Sequence, residues 1–357
     1  MKLKSKGYRK VSIKGIEGLV EFDLERYEDG GDYFALSNQF RGHKESKRLQ
    51  DWVLLQVQEK SYESVSKDII ALTGKKLVSS NELSEQVKDF AQKATQDTIN
   101  SYGGTQLVIP FGVPLGEGIY DESVAEIRFF DDAIGVKKQK NIREISYQKQ
   151  QQRVQTDVVE IERKDGQFEY ITAGYGVANW DIETSLSCWI SNHYGNVALP
   201  IVAITDGAKS IRLRLWRLFG HQVTIILDWW HLQKKVRELM SMICFNKVQK
   251  QEAVSQISAL LWEGKVNNAI QYIQTIVPRN KEKHTELLEY LQKHQSEIIN
   301  YKKRKEAKKT IGSGRAEKGV DLIVARRQKN KPIAWSVNGS CALAVLKADY
   351  LNAKLAA

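Results

Sequence analysis

The stretch Ala198-Leu199-Pro200-Ile201-Val202-Ala203-Ile204-Thr205-Asp206-Gly207 decides how the chain is read. Its near-continuous apolar run is what a strand buried on both faces requires. Such a strand belongs to a sheet with helices on either side, and an acid at its end faces a crevice. Taken alone, Asp206 is as well explained as a turn or helix cap. What surrounds it gives it meaning.

Upstream, Glu126–Phe130 runs into Asp131-Asp132 and on to Ile134 and Val136, a first strand. Val154–Glu162 reads as a second and Phe168–Thr172 as a third, joined by the turn Lys164-Asp165-Gly166. Ile182, Leu186, Trp189 and Ile190 then mark a helix by their spacing. After the central strand, Ile211, Leu215 and Leu218 mark another helix, and Val223–Leu227 another buried strand. Three strands in a meander, helix, strand, helix, strand is the ribonuclease H-like order. The expected fold class is therefore α/β, with a mixed sheet covered by helices on both faces. Residues 231–305 read as almost entirely helical, marked by Leu260, Ile270, Ile273, Leu287, Leu288 and Leu291. A last core helix follows Gly312 and Gly314, with Val320, Ile323 and Val324 on one face.

Toward the N-terminus, Lys10–Ile13 and Leu19–Phe22 are β-like, with Asp29-Gly30-Gly31-Asp32 as a turn. From Glu45 to Gln92 the pattern is helical. Trp52, Leu55 and Val57 open one stretch, and Val65, Ile69, Ile70 and Leu72 a second that Gly74 ends. Ser79 and Glu82 form a capping-box signature for a third helix with Leu83, Val87 and Phe90 inward. Two short helices broken at a glycine, with Lys75-Lys76 between, suggest a helix-turn-helix-like DNA reader, with a plain helical hairpin as the alternative. Five glycines and two prolines within 102–118 mark a linker. The expected organisation is a β segment (1–40), a helical region (41–101), a linker (102–121), the first part of a catalytic core (122–230), a helical insertion (231–310) and the core's C-terminal helices (311–357).

The 357 residues carry a net charge of +11, which favours a polyanionic partner. The charge is clustered: Lys302–Lys331 holds 12 Lys or Arg against three acids, Glu306, Glu317 and Asp321. Lys302, Lys303, Arg304, Lys305, Lys308, Lys309, Arg315, Arg326 and Arg327 are the expected phosphate contacts. Trp229 or Trp230 is expected to stack on an unpaired base, with core packing the alternative for at least one of them. Three widely spaced cysteines make neither a disulfide framework nor a zinc motif, and no signal peptide or apolar span is read. A cytoplasmic chain is the expectation.

Asp206 closes one strand and Asp228 the next, in Asp228-Trp229-Trp230-His231, while Glu317 lies in the first turn of the last core helix. Phosphodiester chemistry with two metal ions needs carboxylates converging from separate elements of this kind. In sequence order, Thr205-Asp206-Gly207, then Asp228-x-x-His231, then a long helical block, then Gly312-Ser313-Gly314-x-x-Glu317 resembles the Mutator-like group of DDE transposases. It is especially similar to those of bacterial insertion sequences with a Cys/Asp-x-x-His signature. Ala325-Arg326-Arg327 and Trp335–Gly339 resemble the segment that follows the catalytic Glu in that group.

The resemblance implies Asp206 and Glu317 as the second and third catalytic acids and metal ligands, with Asp228 and His231 as an accessory pair. For the first acid, strand counting favours Asp132. Asp131, on the opposite face of the same strand, and Asp157 remain alternatives. Implied with them are two Mg²⁺ ions (Mn²⁺ substituting), transposon-end and target DNA as partners, and a homodimer or larger assembly on DNA in a bacterial, nucleoid-associated setting. A structure-specific nuclease on the same fold and an inactive DNA-binding descendant are the alternatives. One departure is plain: the N-terminal region has no cysteine pairs for a zinc ribbon.

Overall fold

The computed structural model describes residues 4–27, 45–102, 112–139, 153–163, 165–195, 198–330 and 333–356. The first elements are the antiparallel hairpin β1 (Ser5–Gly15) and β2 (Gly18–Tyr27), which turns at Ile16-Glu17. The turn expected at 29–32 lies outside the described residues.

Three helices follow: α1 (Lys47–Val57), α2 (Tyr62–Thr73) and α3 (Ser80–Ser101). Each starts at a serine whose hydroxyl accepts a first-turn N–H, and Ser79 with Glu82 forms the full capping box. Gly74 ends α2 in the left-handed region at φ 70, which favours glycine. The apolar faces are narrower than expected. Leu49, Val53 and Val57 point inward from α1, and Val65 and Ile69 from α2, while Leu55, Ile70 and Leu72 reach solvent. These helices share one apolar core with Ile134, Val136, Val154 and Val158 of the main sheet and with the C-terminal helix. In the expected linker, Gly112 bridges to Leu199 and a 3-10 turn, Gly116–Tyr120, buries Ile119.

The main sheet contains β3 (Ile127–Lys137), β4 (Arg153–Glu162), β5 (Phe168–Ile171), β6 (Ile201–Thr205) and β7 (Thr224–Leu227). Its order is β5-β4-β3-β6-β7. β3, β4 and β5 run antiparallel, whereas β3, β6 and β7 are parallel neighbours. This is the ribonuclease H-like mixed sheet that the element order predicts. Between strands lie α4 (Ile182–Tyr194) and α5 (Lys209–Phe219).

Period-two alternation sorts the strand residues between two cores. Phe129, Val159, Ile161, Ala203 and Ile225 pack beneath α4 and α5. Phe130, Val202, Ile204 and Ile226 face the other way, toward α6 (Trp229–Ile243) and the helices α7 (Lys247–Trp262), α8 (Val266–Gln274) and α9 (Lys281–Lys293). The chain returns through α10 (Tyr301–Glu306) and α11 (Gly314–Val320), a π-helical segment Asp321–Lys329, and α12 (Val337–Ala356). Among the described residues no helix is long and apolar enough to cross a membrane.

Candidate active site

The same alternation decides between the two adjacent aspartates of β3. Asp131 shares the parity of Phe129 and points under α5. It is 1% exposed, and its oxygens accept from Arg214 Nη2 at 2.5 Å and Nε at 3.1 Å. Asp157 falls on that same face, 3.2 Å from Arg214 Nη1. Both alternatives to Asp132 are therefore partners of a buried arginine on the far side of the sheet. Arg214 escaped the sequence reading, although it interrupts the apolar stripe Ile211, Leu215, Leu218 of α5. A charged residue in such a stripe signals a buried counter-charge.

Asp132 points the other way. Asp131 pairs with Thr205 in the parallel register, so Asp132 and Asp206 are the next residues on neighbouring strands. Asp132 Oδ1 accepts the Ala133 N–H at 2.7 Å, and Asp206 Oδ1 accepts that of Ala208 at 2.8 Å. Burial pushes the Asp132 carboxyl up to about 6; the charges of Asp206 and Glu317 push the same way, against the Ala133 N–H and His231. Glu317 projects from α11 to the same end, with Oε1 3.6 Å from His231 Nε2. The three sequence-predicted acids thus share one face and one end of the sheet.

Among the described residues no three His, Cys, Asp or Glu side chains are grouped tightly enough to hold a metal ion. The donor set nevertheless fits Mg²⁺ in kind. It consists of carboxylate oxygens only, and like charges already act on Asp132, which a divalent cation would relieve.

Asp228 does something else. It is 1% exposed and caps α6, with Oδ1 accepting the His231 N–H at 2.7 Å. Its Oδ2 accepts the Ser313 N–H, and its own N–H donates to Thr205 O at 2.8 Å. Next to it, Trp229 N–H donates to Ile311 O at 3.2 Å. Burial pushes the Asp228 carboxyl up, but the bonds from His231 and Ser313 outweigh it, leaving it below its ordinary value. His231 Nδ1 lies 3.2 Å from Asp228 Oδ1, and this contact raises the imidazole above its usual value. Asp228 thereby joins the ends of β6 and β7 to the loop that opens the helix of Glu317.

Several expected phosphate contacts need correction. Arg304 is 0% exposed; its guanidinium pairs with Glu126 and donates to Thr310 O and Ile119 O. Lys309 donates to Gly118 O, Val124 O and Glu126. Arg327 is buried between the rings of Tyr62 and Trp335 and donates to Val57 O. Trp229 packs on Trp262 and Tyr301 in the core. These four side chains are committed inside the protein. Lys302, Lys303, Lys305, Lys308, Arg315 and Arg326 remain on the surface, Arg315 lying 3.9 Å above the Phe168 ring. Trp230 is 66% exposed and rests on Gly312, where a Cβ would meet the indole at 3.0 Å. Replacing Arg304 by Ala is expected to cost about 3 kcal/mol, because it leaves buried Glu126 with only Lys309 near it and removes the guanidinium donors of Thr310 O and Ile119 O. Lys302→Ala and Lys305→Ala should leave the urea midpoint unchanged; an equal shift in all three would contradict the division.

No family model matches the chain, and no curated protein matches it. Among solved structures, a Drosophila P element transposase strand transfer complex is similar at 12% identity, over 90% of this chain and 86% of that one, with a TM-score of 0.27.

Proposed function

We propose that the chain is a DDE-type transposase of the Mutator-like, insertion-sequence kind, cutting DNA at element ends and joining the freed 3′-hydroxyl to target DNA. The observation that supports this most is the convergence of Asp132, Asp206 and Glu317 from β3, the end of β6 and α11 on one face of the sheet. Asp132, Asp206 and Glu317 would hold two Mg²⁺ ions, with Mn²⁺ substituting. When bound, the ions activate the attacking hydroxyl and stabilise the leaving oxygen of an in-line displacement.

The chain's own groups supply the rest. Asp228 fixes the Ser313 N–H and His231, and so orients the helix of Glu317. The exposed cations Lys302, Lys303, Lys305, Lys308, Arg315 and Arg326 would meet phosphates. Trp230, on the rim beside Gly312, would stack on an unpaired base. The exposed Lys75 and Lys76, between α2 and α3, would belong to the DNA-reading part. Synapsis of two ends calls for a dimer or larger assembly on DNA.

The test is incubation of the full chain with end-labelled duplexes carrying the element's terminal sequence, in Mg²⁺ and in EDTA. Metal-dependent nicks leaving 3′-hydroxyls, followed by joined products, are expected. Cleavage of branched DNA without any joining would make the protein a structure-specific nuclease. Sequence-specific binding without nicking would make it a DNA-binding descendant.

A further inference from the structure

The helical block between Asp228 and Glu317 touches the site at a place no motif marks. At the end of α9, His294 is 1% exposed and Glu297 is buried beside it. Arg212 reaches them from α5, the helix that begins just after Asp206-Gly207-Ala208. Its Nε lies 2.6 Å from Glu297 Oε1 and its Nη2 2.7 Å from His294 Nδ1. His294 Nδ1 is also 2.7 Å from Glu297 Oε2, so by tautomer it either accepts from the guanidinium or donates to the carboxylate.

Two further contacts carry this cluster to the second acid. The Glu297 carbonyl accepts the N–H of Leu227, the last residue of β7, at 3.0 Å. Gly207, the residue after Asp206, holds φ +84, and a Cβ there would stand 2.7 Å from His294 Cε1 and 2.8 Å from Leu227 Cδ1. The imidazole therefore lies directly against the turn that carries Asp206. At the start of the turn Thr205 O accepts from Asp228 N–H, but beyond it the bonds are local: Gly207 N–H to Thr205 Oγ1 at 3.2 Å and Ala208 N–H to Asp206 Oδ1 at 2.8 Å. Bonds this short in range do not fix residues 206–208 relative to the neighbouring strands. A buried network of two charged groups and an imidazole, tied to three elements, does.

We infer that the helical insertion positions the second catalytic carboxylate, through Arg212, Glu297 and His294 packed against the Asp206-Gly207 turn; this rests on the three-carboxylate reading above. The insertion's exit is then part of the floor of the site. None of the three side chains is a metal ligand or touches DNA. They act through the backbone of 205–208, setting where Asp206 stands relative to Asp132.

The experiment uses the full chain with Glu297→Gln, and Arg212→Lys as a second variant that keeps the charge but loses the planar fork. Hydrogen exchange is measured without metal, and Mn²⁺ affinity by titration. The amides of Gly207 and Ala208 should exchange about tenfold faster than in wild type, with the interior of α9 unchanged, and Mn²⁺ affinity should fall about tenfold, the scale of coupling within one buried network. Folded variants with unchanged exchange at 206–208 overturn the inference, whatever their metal affinity. A wild-type chain that binds no Mn²⁺ would instead overturn the carboxylate reading, and the metal-free exchange would still decide the positioning role.

Discussion

Asp132→Asn should abolish Mg²⁺-dependent DNA cleavage, a loss on the order of 10³-fold or more, while the neighbouring Asp131→Asn should leave a folded protein active. Metal-assisted phosphodiester chemistry loses several kcal/mol of transition-state stabilisation when a ligand is removed. Asp132 is the β3 acid that shares a face with Asp206 and Glu317; Asp131 is turned away and spent on Arg214. Stability should divide the opposite way. Removing the Asp131 charge leaves Arg214 buried with only Asp157 near it, at a cost of about 3 kcal/mol. Asp132 carries a carboxyl that burial and like charges push up to about 6, so a neutral amide there should not lower the melting temperature. Cleavage rates and melting curves of the two variants decide the matter. If Asp131→Asn lost activity while folded and Asp132→Asn kept it, the first acid would have been assigned to the wrong side of the sheet.

That division also shows what can be read from a chain without coordinates. The buried strand at 198–205, the meander before it and the helical block after it are legible because hydrophobic period and turn residues are local properties. The capping box at Ser79 and the stop at Gly74 are legible for the same reason. The choice among Asp131, Asp132 and Asp157 needs strand parity and register, which the sequence narrows but does not resolve. Arg304, Lys309 and Arg327 look like surface charge because a basic run carries no mark of which residues meet a buried acceptor. Their acceptors at 119, 124, 126 and 57 lie far away in the chain. The Arg212–Glu297–His294 cluster was invisible for that reason too: it joins segments that no local pattern relates.

Asp228→Ala is the second large effect, expected in stability and in cleavage together. The carboxylate accepts two backbone N–H groups at once, from His231 within α6 and from Ser313 before α11. Loss of the helix cap alone costs about 1 kcal/mol. An unsatisfied Ser313 N–H at a buried position adds about 1–3 kcal/mol, so a total near 3 kcal/mol is expected. Asp228→Asn should fall between, because one amide face offers a donor where an acceptor is required. The effect on cleavage follows from geometry rather than from coordination. Ser313 directly precedes the helix of Glu317, and a displacement of about 1 Å at a reacting group costs on the order of 10²-fold. Amide exchange at 311–314 separates a connector from a ligand. If Asp228 joins the strand ends to this loop, its alanine variant should speed exchange there even without metal. An Asp228 that served only as a ligand would leave metal-free exchange unchanged. In that case Glu317 would owe its place to α11 alone, and both hydrogen bonds that stitch residues 311–313 to the end of β7 would be incidental to the site.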